Sequence, residues 1–271
     1  MALFKKFFLE LFKLLNDIFL LFYFLFKKSL NNEDFLIITG SDSTHFNSLV
    51  NLLKTLTLHE PYTEVIIINL GMTENEIDYL KLNFDYKIND FNFKNYPDFV
   101  SRRDKFGKLG AYAWKPISIF NEFNKTSKNL IWLDAGCLIT KELYLLKKII
   151  KKNGFYSPQS SDNIERWTHL DTLKILEVPI SYYKKRNISG GIVGFAKNSR
   201  KVNELINSWY RSSIDESIIA PSKSSRLNHR QDQAILSVLI HKLKISKYTP
   251  RTHLIFGILK HKDNEKEKYL Q

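Results

Sequence analysis

The stretch NLIWLDAGCLITKEL, residues 129–143, ends an apolar run on a single carboxylate, Asp134. Two chemistries put an acid there. One is a loop that cradles S-adenosylmethionine, with glycines after the acid so that backbone can approach the cofactor. The other is a pocket in which a strand-end carboxylate faces a metal ion and a diphosphate. The first fails on the residues that follow: Leu138, Ile139 and Thr140 crowd the approach that glycines would open. KKNGFYSPQS also offers no acid for the ribose hydroxyls, and the motif follows at least three strands instead of heading the domain. A third account, an aspartate that caps a turn, needs no ligand at all.

Asp134 needs a strand to carry it, and the chain supplies alternating strand and helix patterns. FLIITG reads as a buried strand, followed by a helical stripe of Phe46, Leu49, Val50, Leu53 and Leu56. EVIIINLG is a second strand, and the Thr73 to Glu76 spacing is a capping box that starts a helix through Leu82. A third strand lies near YKINDFNF. Pro116 suits the first turn of another helix, because proline loses no hydrogen bond there. NLIWLD is then a central strand, followed by a helix over KELYLLKKIIKK that Gly154 terminates. Beyond residue 153 the pattern is less regular, with a strand at GGIVGFA and helices over KVNELINSWY and QDQAILSVLIHKL.

Such alternation implies an α/β fold with a mostly parallel, doubly wound sheet and flanking helices. Ligands of such sheets bind at the carboxyl ends of the strands. That rule gathers Thr39-Gly40-Ser41, Asn69-Leu70-Gly71 and Asp134-Ala135-Gly136. With no repeat and no long linker, the expectation is one domain over residues 34–262. An apolar amphipathic helix over 1–30 precedes it and a charged tail over 263–271 follows.

The ordered motifs between residues 34 and 262 resemble the GT-A glycosyltransferases, especially the glycogenin-like and lipopolysaccharide-galactosyltransferase-like branch and related uncharacterised domain families. The resemblance implies a Rossmann-like GT-A sheet and transfer of a sugar from a nucleotide-diphosphate donor. It puts FLIITGSDSTHF, with Thr39 and Gly40, beside the nucleobase. Within GKLGAYAWKPISI it assigns Lys115 to phosphate charge and Tyr112 and Trp114 to the pocket wall. At IWLDAGC the family carries Asp-x-Asp, whose hard oxygens suit Mn²⁺ or Mg²⁺. Here Asp134 is kept, and Gly136 stands where the second acid would be. RNISGGIVGFAKN looks like a strand on which small residues admit substrate, through Asn187, Ser189, Gly190 and Gly191. NHRQDQAILSVLI looks like the segment facing the donor sugar, with His229, Arg230 and Gln233 in contact and Gln231, Asp232 and Asn187 positioning the acceptor. HLIFGILKHK approximates a closing motif, His253 on the metal and Lys260 on the diphosphate, with one extra residue before Gly257.

Plainer accounts exist for several of these residues. Trp114 suits a core, Lys115 a charged surface, and paired glycines a bulge. Asp232 suits the first turn of a helix whatever else it does, and a lone histidine such as His253 is commonly structural.

Charge and the N-terminus narrow the partners. The formal charge is +13, which serves solubility or attracts anions such as a nucleotide diphosphate or lipid headgroups. No dense Arg/Lys helix or nucleic-acid motif occurs, so nucleic acid is not expected. A single cysteine, Cys137, excludes an internal disulfide framework and a thiolate metal cluster within one chain. In the first 28 residues Lys6, Glu10, Lys13 and Asp17 share one helical face. The uninterrupted apolar run, Ile18 to Phe26, is shorter than the ~20 residues that span a bilayer. Lys5, Lys6, Lys27 and Lys28 flank it, and no small-residue cleavage site follows. These features favour an interfacial helix on the cytoplasmic face of a membrane, with a single signal anchor or a helix docked on protein as alternatives. The resulting expectation is a membrane-surface glycosyltransferase acting on a glycan, glycolipid or protein acceptor with Mn²⁺ or Mg²⁺. The alternative is a non-catalytic binding or scaffold protein of the same fold, for which Gly136 is the argument.

Overall fold

A computed structural model describes residue 15 and residues 34–104, 107–245 and 254–260. The helix expected over 1–30, apart from Leu15, and the charged tail over 263–271 lie outside the described residues. The first half of the chain runs β1 (Phe35–Ser41), α1 (Phe46–His59), β2 (Glu64–Asn69), α2 (Glu74–Asn83), β3 (Lys87–Asp90), α3 (Trp114–Lys125) and β4 (Asn129–Leu133). It continues with β5 (Leu138–Ile139), α4 (Tyr144–Asn153), β6 (Phe155–Tyr156), β7 (Gln159–Asn163), α5 (Ile164–Trp167) and α6 (Leu170–Ile175). The rest is β8 (Arg186–Ile188), β9 (Ile192–Phe195), α7 (Arg200–Ser213), α8 (Glu216–Ile219), α9 (Gln231–Lys242) and β10 (Ile258–Leu259).

The main sheet has the order β3-β2-β1-β4-β9-β6. β1 pairs in parallel with β2 and β4, and β2 with β3; β9 alone runs against its neighbours β4 and β6. The expected α/β architecture, a mostly parallel sheet with flanking helices in one domain, is therefore what the chain forms. β1 is buried at every position, as a central parallel strand covered on both faces must be. Its side chains alternate between two cores. Leu36 and Ile38 join Leu130, Trp132, Ile117 and Trp209 on the face covered by α3, α7 and α9. Phe35 and Ile37 join Ile131, Leu133, Leu53 and Ile150 on the face covered by α1 and α4. Among the described residues no helix is long and apolar enough to cross a membrane.

Local chemistry sets the ends of these elements. Thr73 Oγ1 accepts from Glu76 N at 3.3 Å while Glu76 Oε2 accepts from Thr73 N at 2.8 Å, the reciprocal capping box that the spacing predicts. Gly154 ends α4 in the left-handed region at φ 82°, where a side chain would be strained. α4 starts at Tyr144, three residues later than expected, and ahead of it Leu138–Ile139 form a strand with β10. Its first turn is held by the buried Glu60, which accepts from Leu143 N at 2.5 Å and pairs with the buried Lys147. The short pairs β5–β10 and β7–β8 escape a sequence reading, since β5, β8 and β10 have only two or three residues and the five-residue β7, QSSDN, is polar throughout.

One strained segment leads into α3. Gly110, Ala111 and Tyr112 are consecutively left-handed, at φ 53°, 48° and 61°. A Cβ on Gly110 would lie 2.1 Å from Val100 O, so glycine is required there by sterics as well as by φ. Gly110→Ala should lower stability by roughly 3 kcal/mol or more. Thr73→Ala, which removes only the cap, should cost about 1 kcal/mol. Denaturant midpoints read both, and the order of the two losses is the prediction.

Candidate functional site

A cavity of about 330 Å³ opens at the carboxyl ends of the parallel strands, a size suited to a small ligand. Gly40, Leu70, Asp134, Ala135 and Gly136 line it from the strand ends, as the topology rule anticipates. Asn69 and Gly71 do not: Asn69 Oδ1 is spent on Gly71 N at 2.9 Å and Met72 N at 2.7 Å. Ser189, Gly190 and Gly191 line the cavity before β9, residues 230–233 line it at the start of α9, and Lys260 lines it from beyond β10.

At its centre the second residue of α3, Lys115, is buried. Its Nζ lies 3.0 Å from Asp134 Oδ1 and 3.3 Å from Asp232 Oδ2, and donates to Gly190 O at 3.3 Å. Burial alone disfavours the ammonium, but the Asp134 and Asp232 carboxylates outweigh it and hold the Lys115 pKa well above the ordinary lysine value. Burial raises the Asp232 carboxyl above its ordinary value, with Lys115 offsetting only part of that effect. Asp134 is oriented by Trp132, whose Nε1 donates to Oδ1 at 2.7 Å, and its own N donates to Gly191 O at 2.9 Å. A Cβ on Gly191 would stand 2.9 Å from Asp134 Oδ2, and one on Gly190 3.2 Å from Asp232 Oδ2. The paired glycines are thus a close approach of backbone to the two acids.

Aromatic side chains wall the cavity. Tyr112 and Trp114 rings lie 6.0 Å apart, Trp114 and Trp132 5.9 Å, and Lys115 Nζ sits 5.8 Å from both the Tyr112 and Trp132 ring centres. Trp114 is both core and wall. Lys260 Nζ reaches Ser189 Oγ at 3.4 Å, and burial lowers its pKa. Gln231 adopts φ 45° at the first residue of α9, so backbone strain flanks the cavity on two sides.

The sequence reading missed several lining residues, among them Asp42, Arg103, Lys108 and Arg226. Asp42 is buried; its Oδ1 accepts from Thr44 N at 3.1 Å and its Oδ2 from Arg103 Nη2 at 2.7 Å. Burial pushes its pKa up, but hydrogen bonds with His45, Thr44 and Arg103 hold it below the usual carboxylate range. The clue was Asp42 one residue past the strand end, followed by Ser43-Thr44. Arg103 and Arg226 left none.

Three expected site residues lie elsewhere. Thr39 is fully buried in β1 and does not line the cavity. Asn187 is fully buried in β8, away from the lining, and neither amide atom finds a hydrogen-bond partner. His229 is buried with both ring nitrogens engaged: Nδ1 accepts from His169 N at 3.2 Å and Nε2 faces Ile219 O at 3.0 Å. It ties two loops together and does not line the cavity. His253 lies outside the described residues.

The expected divalent cation was tested against this chemistry. Asp134 Oδ1 already takes Trp132 and Lys115, Asp232 shares the same ammonium, and Gly136 contributes no side-chain oxygen. Among the described residues no group of three or more His, Cys, Asp or Glu side chains could hold a metal ion. The described residues do not fit a divalent site.

Residues 5–119 match the model of a family described as "Protein of unknown function (DUF1647)". No curated protein matches the chain. Among solved structures, the chain is similar to the galactosyltransferase LgtC in complex with donor and acceptor sugar analogues, at 15% identity and TM-score 0.49, over 75% of this chain and 70% of that one. It is similar to core-mannan synthase A (CmsA/Ktr4) of Aspergillus fumigatus in its Mn/GDP form, at 10% identity and TM-score 0.48, over 79% and 71% of the two chains. A third is the glycosyltransferase GlyE of Streptococcus pneumoniae TIGR4, at 9% identity and TM-score 0.47, over 82% of this chain and 46% of that one.

Burial pushes the His229 imidazole from 6.5 down to about 4. Between those values the unfolded chain binds a proton that the native state refuses, so stability falls as pH drops through that window. The loss reaches roughly 3 kcal/mol by pH 4. Urea unfolding of the wild type and His229→Gln at pH 7 and pH 5 reads it. The wild type should lose more stability on acidification than the variant.

Proposed function

We propose that this chain is a glycosyltransferase of the GT-A kind, moving a sugar from a nucleotide-diphosphate donor to a carbohydrate acceptor. The observation that carries the proposal is convergence. Segments around Gly40, Lys115, Asp134, Gly190 and Asp232, and Lys260, which the sequence singled out separately as resembling that family, line one cavity at the strand ends. The apolar, lysine-flanked residues 1–28 support placing the reaction at a membrane surface.

Transfer breaks the bond between the sugar C1 and the diphosphate and forms one from C1 to an acceptor oxygen, whose proton must leave. The donor base and ribose fit over Gly40 and Leu70, beside the hydrogen-bonded Asp42. Lys260 donates to the departing diphosphate, offsetting charge as it develops. The sugar ring lies beside Gly190 and Gly191, which line the cavity with the two acids. Asp232, whose carboxyl burial already makes basic, takes up the acceptor proton. Lys115 keeps Asp232 and Asp134 at fixed separation, and Gln231 and Gln233 orient hydroxyl groups. No step is routed through a metal ion. Gly136 also favours a second reading, a binding module without turnover, which shares the donor pocket.

The test is binding of UDP, GDP and their sugar conjugates by calorimetry. A nucleoside diphosphate should bind, and Lys260→Ala should weaken it about tenfold or more by removing a charged hydrogen-bond donor. Absence of binding by every nucleotide, with and without Mn²⁺, would overturn both readings.

A further inference from the structure

We infer that the acceptor taken by this cavity carries an anionic group, a phosphate or a carboxylate, that docks on an arginine cluster at the rim beside α9. The inference names the acceptor class of the glycosyltransferase reading and rests on it.

Contacts order the cavity from one end to the other. Gly40 lies against Trp132, Trp132 holds Asp134, Asp134 and Asp232 share Lys115, and Asp232 leads back to Arg230. Beside Asp232, around the start of α9, three guanidinium groups gather. Arg230 and Arg166 flank the Trp167 indole, their Cζ atoms 4.0 Å and 4.7 Å from its ring centre. Arg226 lies 5.9 Å from the Tyr112 ring centre, with Nη1 3.5 Å from Tyr112 Oη. Arg226 and Arg230 line the cavity.

None of these three arginines joins an ion pair among the described residues, whereas Arg102 and Arg103, in the same molecule, are paired with Glu216 and Asp42. Arg230 Nε is buried and finds no hydrogen-bond partner among the described residues. Burial, and then the charges of Arg226 and Arg166, lower the Arg230 pKa. Two exposed like charges beside the partly buried Arg230 repel it, and an anion relieves that cost. Their placement is fixed: Arg230 N donates to Trp167 O at 2.9 Å and Arg166 Nη1 to Leu227 O at 3.0 Å. Guanidinium groups held on aromatic faces keep their planar forks oriented, and those forks match the paired oxygens of a carboxylate or phosphate. A neutral hydroxylated sugar gives such a cluster nothing to neutralise.

The experiment titrates the full chain, saturated with its nucleoside diphosphate, with glucose, glucuronic acid and glucose 6-phosphate, followed by NMR. One of the charged sugars should bind about tenfold tighter than glucose or better. Tighter glucose 6-phosphate identifies the group as phosphate, and tighter glucuronic acid as carboxylate. The Arg166→Gln, Arg226→Gln double variant, both side chains being exposed, should reduce that preference to near parity. The Arg166→Lys, Arg226→Lys variant keeps the charge and should retain part of it. Equal binding of glucose and both charged sugars, or no measurable binding of either charged sugar, overturns the inference. So does a double variant that weakens the nucleoside diphosphate by the same factor, which would assign the arginines to the donor and leave the glycosyltransferase reading standing. Failure of every nucleotide to bind removes that reading itself.

Discussion

The ammonium of Lys115, shared between Asp134 and Asp232, is the interaction on which the site depends. It joins the start of α3, the end of β4 and the start of α9, and its third bond, to Gly190 O, reaches the entry to β9. Two acids this close would repel if the lysine were lost, and Asp232 is too buried for water to compensate. The pair does not have to be a net source of stability to matter. Its consequence is positional, because removing Lys115 leaves Asp232 as an unpaired charge in a buried place.

Much of the surrounding structure accommodates that cluster. Gly190 and Gly191 exist as glycines because a Cβ would press on the two carboxylates. Trp132 fixes Asp134 through its indole N–H, and Trp209 Nε1 donates to Asp232 O at 2.9 Å, anchoring the other acid through its backbone. The left-handed run at Gly110–Tyr112 aims α3 so that Lys115 faces inward, and Gln231 takes strain at the opposite wall. Strained backbone persists only where packing over-determines it, and here it stands on both sides of the cavity. A structure organised only for stability has no reason to bury a lysine between two aspartates at a cleft.

The sequence made the sheet legible where periodicity was long. β1, β2 and β4 were read because each carries four consecutive apolar residues, α1 because its apolar positions recur along a helical stripe, and Thr73–Glu76 because the capping box is local. The site was legible in part. Asp134, Lys115 and Asp232 each stood out by type and setting, yet nothing in the chain says that they meet, since the meeting depends on strand order. Thr39 was misplaced because strand side chains alternate, and the adjacent Gly40 takes the cavity side; Asn187 is held within β8, and only Ser189, past the end of that strand, reaches the cavity. His229 looked functional beside Arg230 and Gln231, but loop closure uses both its nitrogens. The arginine cluster was not legible as a cluster: Arg230 stood out in NHRQDQAILSVLI and was assigned to the donor sugar, but among 41 Lys and Arg residues nothing ties Arg166 and Arg226 to it.

The central claim is turnover at the Lys115 cluster. Incubating the purified chain with a panel of nucleotide sugars and following the released nucleoside diphosphate by mass spectrometry tests it most directly, because even without acceptor such a site transfers sugar slowly to water. The account predicts release from at least one donor by the wild-type protein and a loss of at least about a hundredfold in Asp232→Asn, the order expected for removing a positioned base. Release from no donor, or an Asp232→Asn protein as active as the wild type, would contradict it.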